Sequence, residues 1–287
     1  MPRMLFGEIH PVTYRISIAK GRLLRNVSDL RPTLHLARAR SASSLPVLVY
    51  RHNSLIRRRL GNVNPELQDN KAVSLSIAAP RVDGVLIRPG EVFSFWKLVG
   101  PVTARRGYRE GLTIDHDRAA SGIGGGMCQF TNLIHWMVLH TPLEIVEHHH
   151  HSGLDLFPDF NRQIPFGTGT SIVYNYLDYR FRNTAEQTFQ LRVSVGEEYL
   201  SGELRAESAL PLKYHIHEED ACFFRQDGSV YRYNSIHRTA RDKRTGSEVL
   251  REHLSTNTAL VCYPEELIRS PILDEDPRSV LSRALPG

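Results

Sequence analysis

The strongest periodicity in the chain starts at Gln129. From there Phe130, Leu133, Ile134, Met137 and Val138 recur at helical spacing and define one apolar face. Pro142 disfavours helix at the residue before it, so this helix should end near His140. Weaker forms of the same rhythm predict helix over residues 13–40, interrupted by Pro32 and the Ser41–Ser44 cluster. They also predict helix over 66–79, where Leu67, Val73, Leu75, Ile77 and Ala78 supply an approximate face. Other stretches alternate. Leu45–Tyr50 reads as a short strand, Val92–Trp96 as a strand with Phe93 and Phe95 on one side, and Leu143–Glu147 as a strand leading into four histidines. Residues 105–121 are polar and contain glycine, which predicts a loop with a short strand near Leu112–Ile114. Ser171–Phe181 reads as one long strand, and Thr188–Val195, after a turn at Asn183, as its partner. Beyond Glu207 the chain is β-rich, with turns marked by Asp227-Gly228 and Arg244–Gly246.

These elements predict an α+β fold. A central helix, starting at a Gly-Gly-Gly-x-Cys-Gln loop, packs on a mostly antiparallel sheet, and the C-terminal part is β-rich. Four regions follow: a basic, largely helical N-terminal region (1–60), a core domain (61–207), a β-rich extension (208–270) and a loose tail (271–287). A chain of 287 residues can bury a sizeable core. No apolar run approaches the length of a membrane span. The first ten residues lack the basic-then-apolar layout of a secretory signal, so a cytoplasmic protein is expected.

Charge changes this picture at one end. Residues 1–60 hold twelve Lys and Arg against only Glu8 and Asp29, while the whole chain carries a net charge of +5. Such an arm is either a solvated basic surface or a contact for an anionic membrane, which would place the protein peripherally on the inner membrane face. Nucleic acid is not the expected partner. No aromatic residues alternate with the basic ones, and no nucleic-acid motif is visible.

The chemistry points elsewhere. Cys128, Cys222 and Cys262 make no CxxC pair and no even disulfide framework. Cys222 and Cys262 have the apolar neighbours of small buried strand residues. Cys128 instead follows Gly124, Gly125 and Gly126 and opens a helix. There, unpaired N–H groups and the helix dipole favour thiolate. The glycines allow close backbone approach and offer N–H groups to an oxyanion, and Gln129 either donates to that oxyanion or caps the helix. On a strand, His149 and His151 share one face, while His148 and His150 face away toward solvent. A thiolate with imidazoles is a nucleophile with its base or the start of a metal site. Cys128, His149 and His151 would suit zinc with one open position. The alternatives are a packed cysteine under a glycine turn and a polar histidine surface. His135 reads as a helix-flank residue, and His140 as a cation favoured at a helix C-terminus. Asp178 requires a partner if buried, and structural pairing with an arginine is weighed against a catalytic role.

Several of these segments together resemble the VanW family of vancomycin-resistance proteins. The resemblance rests on Val82–Trp96, Gly124–Gln129, Leu139–Glu147 with the histidines, and Leu177–Asn183, and it extends over roughly residues 20–265. It implies accessory products of glycopeptide-resistance clusters, with no reaction attached to the name. The family strand ends Glu-Arg-His-x-His, which places His149 and His151 at its two histidine positions and His148 at its arginine. Gly169 stands where the family often has aspartate; if that aspartate orients a histidine, this chain uses another group, such as Asp178, Asn175 or Asp155, or has lost the function.

The expectation is a Cys/His-dependent acyl-transfer or amide-hydrolysing enzyme acting on peptides derived from peptidoglycan. Cys128 would be the nucleophile, and His149 or His151 the base. Gly124, Gly125, Gly126, Gln129 and Asp178 would bind. A zinc site and a non-enzymatic binding module are the alternatives.

Overall fold

The computed structural model describes residues 11–31, 33–57, 65–115, 118–150, 153–156, 158 and 163–276. In chain order the elements are α1 (Pro11–Ser28), β1 (Val47–Leu55), α2 (Pro65–Ala78), β2 (Val85–Ile87), β3 (Val92–Ser94), α3 (Phe95–Val99), β4 (Glu110–Asp115), β5 (Arg118–Ile123) and α4 (Met127–Leu139). They continue with β6 (Glu144–Glu147), β7 (Gly153–Asp155), β8 (Arg180–Arg182), β9 (Phe189–Val195), β10 (Tyr199–Ala206), β11 (Leu212–Gln226), β12 (Ser229–Asp242), β13 (Glu248–Val261) and β14 (Ile272–Leu273). The sheets run β1-β10-β9-β2, β3-β8-β6, β4-β5 and β14-β11-β12-β13-β7. All pairings are antiparallel except those of β7 and β14. The α+β class and the β-rich C-terminal part are as the sequence implies.

α4 is the organising element. Its predicted apolar face is buried, and so are Met127, Trp136 and Leu139, because a helix enclosed on several sides hides residues all round. Toward β10 the approach is close. A Cβ on Gly202 would stand 2.6 Å from Met137 Cε and 3.0 Å from Leu133 Cδ2. On another side Phe130 meets Phe95 edge-on at 5.3 Å between centroids, and Phe93 stacks on Phe181 at 4.7 Å, which ties β3 to β8. The C-terminal sheet reaches the far end of α4, where Arg238 donates to the carbonyls of Leu139 and Thr141.

The structure corrects several expectations. Helix in the N-terminal region ends at Ser28 rather than running toward residue 40. Val92–Trp96 is not one strand. Ser94 ends β3 and caps α3, its Oγ accepting from Lys97 N–H, and Gly100 at φ 75 closes that helix. Residues 105–121 hold the β4–β5 hairpin rather than a loop with one short strand. The long strand over 171–181 is absent. Val173 and Leu177 pair across a tight turn, with Asn175 at φ 49, and strand begins only at Arg180. β9 accordingly pairs with β10 and β2. Cys222 is partly exposed in β11, and Cys262 is exposed just past β13. Ile272–Leu273, at the start of the expected tail, pairs with β11, and residues 277–287 lie outside the described residues.

Filling the α4–β10 contact tests this packing. Gly202→Val should destabilise the protein by about 1–3 kcal/mol through overpacking, read as a lower urea midpoint at unchanged m-value.

Candidate functional site

The Gly124–Gly126 turn exists because the backbone demands it. Gly124 and Gly126 adopt φ 93 and 98, and a Cβ would lie 2.0 Å from Val102 Cγ1 at the first and 2.6 Å from Lys71 Cγ at the second. Gly126 is then the N-cap of α4 without any side-chain hydrogen bond, and Cys128 is the second helical residue. Cys128 is partly exposed, but burial of its sulfur pushes the thiol up, against hydrogen bonds from the Ile172 and Cys128 backbone N–H groups. Desolvation thus works against the thiolate that the sequence expectation placed at this helix end. The Gln129 side chain faces β1. Its amide nitrogen donates to Ser54 Oγ and Leu55 O, both at 2.8 Å.

Beside Cys128 runs the segment 168–172. Thr170 donates its N–H and Oγ1–H to Asn132 Oδ1 at 2.6 and 2.8 Å, and its hydroxyl meets that of Thr131. Asn132 lies one turn beyond Cys128 on the same helix face, a spacing legible in the sequence but not used. The segment's other edge holds the histidines. His148 Nε2 donates to Gly169 O at 2.9 Å, and Ser171 N–H donates to His149 O at 2.6 Å.

The histidine arrangement differs from strand alternation because β6 stops at Glu147. His148 is exposed on one side, as expected. Its ring nonetheless stacks on His135 at 4.3 Å, inward rather than away from the site. His135 is buried, not a flank residue, and its Nδ1 lies 3.1 Å from Tyr179 Oη. His149 Nε2 donates to Glu147 Oε1 at 3.0 Å. His151 lies outside the described residues. Among the described residues no imidazole hydrogen-bonds Cys128 Sγ, and no group of three or more His, Cys, Asp or Glu is placed to hold a metal ion.

The carboxylate holding His149 is thus Glu147. The three residues considered as stand-ins at Gly169 have other partners. Asp155 meets Arg232 and Tyr263, Asn175 donates to Asn26, and Asp178 sits in a buried ion cluster. Asp178, just before β8, accepts from Ser94 Oγ (2.5 Å), Arg180 Nε (2.8 Å), Tyr179 N–H (2.9 Å) and Trp96 N–H (3.0 Å). Arg180 also forms a fork to Asp29 at 2.7 and 3.1 Å, and Lys97 reaches Asp29 at 2.8 Å. Arg25 clasps Glu147 at 2.6 and 2.5 Å, and Asp178 N–H donates to Glu147 Oε1 at 2.8 Å. Burial raises the Asp178 carboxyl, with Arg180 and Ser94 opposing. Burial also works against charge on Glu147 and Asp29, but His149 and Arg25 on the first, and Arg180 and Lys97 on the second, hold both below the usual carboxylate range. Sequence reading did not find Asp29, Arg25 or Arg180, because their partners lie far away in the chain.

The chain belongs to the VanW family. The family profile described as VanW like protein matches residues 70–205. The chain is 32% identical over 221 residues to the "Vancomycin B-type resistance protein VanW" of Enterococcus faecalis (strain ATCC 700802 / V583), covering 77% of this chain and 80% of that one. It is also 27% identical over 126 residues to the "Uncharacterized protein YoaR" of Bacillus subtilis (strain 168), covering 43% of this chain and 39% of that one. No solved structure matches.

The histidines set a pH dependence. Burial depresses His135 well below 6.5, and the neighbouring His148 and His150 add to this. His140 is lowered to about 4, again by burial, so it is no helix-end cation. Its Nδ1 lies 2.8 Å from Trp136 O, and its ring stacks on Tyr50. Unfolded, each imidazole takes a proton near 6.5. The unfolded state therefore binds more protons below that pH, and stability is lost as pH falls from about 6.5 toward 4. Urea midpoints should be lower at pH 5.5 than at pH 7.5, and His135→Gln should shrink the difference. Equal midpoints for the parent protein would refute the assignment.

Proposed function

We propose that this chain serves in glycopeptide resistance as a non-catalytic accessory protein. In this reading the Gly124–Gln129 turn and the adjoining segment 168–172 hold a peptide non-covalently. The single observation that carries this reading is the state of Cys128. Its thiol is pushed up by burial, and the hydrogen bonds of His148 and His149 go to Gly169 O and Glu147. A nucleophilic cysteine at neutral pH needs a lowered pKa or an adjacent base. The uncapped first turn of α4 leaves backbone N–H groups able to meet a carbonyl or carboxylate of a peptide. The name of the Enterococcus faecalis relative supplies the resistance context.

A second reading keeps Cys128 as the nucleophile of an acyl-transfer or amide-hydrolysing enzyme acting on cell-wall peptides. The observation in its favour is the His149–Glu147 pair, since a carboxylate orients an imidazole and raises its basicity. In that reaction His149 would take the Cys128 proton as sulfur attacked the carbonyl, and would return it to the leaving amine.

Alkylation separates the two. In a Cys222→Ser/Cys262→Ser background, Cys128 should react with iodoacetamide at neutral pH no faster than a free thiol. Cys128→Ser should retain the resistance phenotype of the parent. Faster alkylation together with loss of phenotype in Cys128→Ser would overturn the binding reading in favour of the enzyme.

A further inference from the structure

α1 has two faces with different fates. One is pinned to the core. Arg25 grips Glu147 and donates to Tyr176 O at 2.9 Å, Asp29 just beyond the helix joins Arg180 and Lys97, and Arg22 donates to Tyr174 O at 3.0 Å. Gly21 lets the helix close on the Tyr176 ring, where a Cβ would stand 2.2 Å from Cδ2.

The opposite face is apolar and uncovered. Ile16 is 51% exposed, Leu23 65%, Leu24 58% and Val27 60%, and Leu30, in the turn after the helix, is 80% exposed. At helical spacing Ile16, Lys20, Leu23, Leu24 and Val27 fall within an arc of about 100°. Exposed Lys20 lies within this arc, and exposed Arg31 follows the helix. Charge identifies the occupant. Residues 1–60 carry twelve cations and two acidic residues, and Asp29, the one acidic residue between 11 and 60, is taken up by Arg180 and Lys97. An apolar stripe that includes exposed Lys20 and is followed by exposed Arg31, with no exposed carboxylate among the described residues of α1, complements an anionic lipid surface. No described helix is long and apolar enough to cross a membrane, so the fitting geometry is a helix lying on it.

We propose that α1 is an interfacial helix that seats the protein on an anionic lipid surface through Ile16, Leu23, Leu24, Val27 and Leu30. The same helix carries Arg25 on its inner face, so Glu147 and His149 would be held about one helix thickness, roughly 10 Å, from the lipid.

Sedimentation of the full chain with vesicles tests this. The protein should pellet with phosphatidylcholine–phosphatidylglycerol vesicles, far less with phosphatidylcholine alone, and less as salt is raised. Leu23→Glu/Val27→Glu should weaken binding by at least about tenfold while leaving the thermal transition in place, since both side chains point away from the core. Binding that is absent, or equal for both vesicle types, would overturn the proposal. So would a parent protein that sediments as a dimer in the ultracentrifuge and becomes a monomer in the double variant, because a second copy would then be the occupant of the stripe.

Discussion

Arg180 is only 6% exposed and carries a permanent charge, and most of the site's geometry follows from how that charge is satisfied. Burial works against the guanidinium, and hydrogen bonds and attraction from Asp29 and Asp178 more than offset it, holding it above its usual range. Asp178 adds Ser94 and the Trp96 N–H, Asp29 adds Lys97, and Glu147 is held by Arg25. Three carboxylates thus face two arginines and a lysine, with His149 at the edge. Such a cluster need not be more stabilising than a well-packed apolar one, but removing a single partner strands a buried charge at a cost of about 3–5 kcal/mol. It acts as a register device, fixing α1, β3, α3, β6 and β8 relative to one another.

The candidate site inherits that fixity. Glu147 belongs to the cluster through Arg25 and the Asp178 N–H, and it holds His149. His149 in turn accepts the Ser171 N–H at its carbonyl, and Thr170 is anchored on Asn132, so the segment beside Cys128 is located from both sides. His148 and His149 therefore each have a hydrogen-bond partner other than Cys128, and burial works against its thiolate. On the binding reading proposed above, this is a preorganised surface for contact.

What the sequence revealed, and what it hid, divides along the range of the interactions. α4 was legible because periodicity within one helix and a downstream Pro142 suffice to locate it. The hairpin turn at Asp227-Gly228 was legible for the same local reason. The stretch 171–181 misled because its β-branched and aromatic residues serve separate contacts. Val173 and Leu177 pair across a turn, Tyr174 packs edge-on to Trp96, and Tyr176 receives Gly21. Asn175, which tolerates left-handed backbone, was the available turn signal, as Ser94 and Gly100 were for α3. Alternation failed for the histidines because it applies only inside a strand, and β6 ends before them. Asp29 and Arg180 lie 151 residues apart, so no local pattern could have joined them.

That long-range pair is also where the account is most exposed. A double-mutant cycle with Asp29→Asn and Arg180→Met, read by urea unfolding at neutral pH, measures the coupling between them. If the cluster fixes α1 to the core, the two substitutions should be strongly non-additive, with a coupling of about 1–3 kcal/mol. Effects that add to within about 0.5 kcal/mol would contradict it, because the pair would then be a contact without energetic consequence and the site would owe its geometry to packing alone.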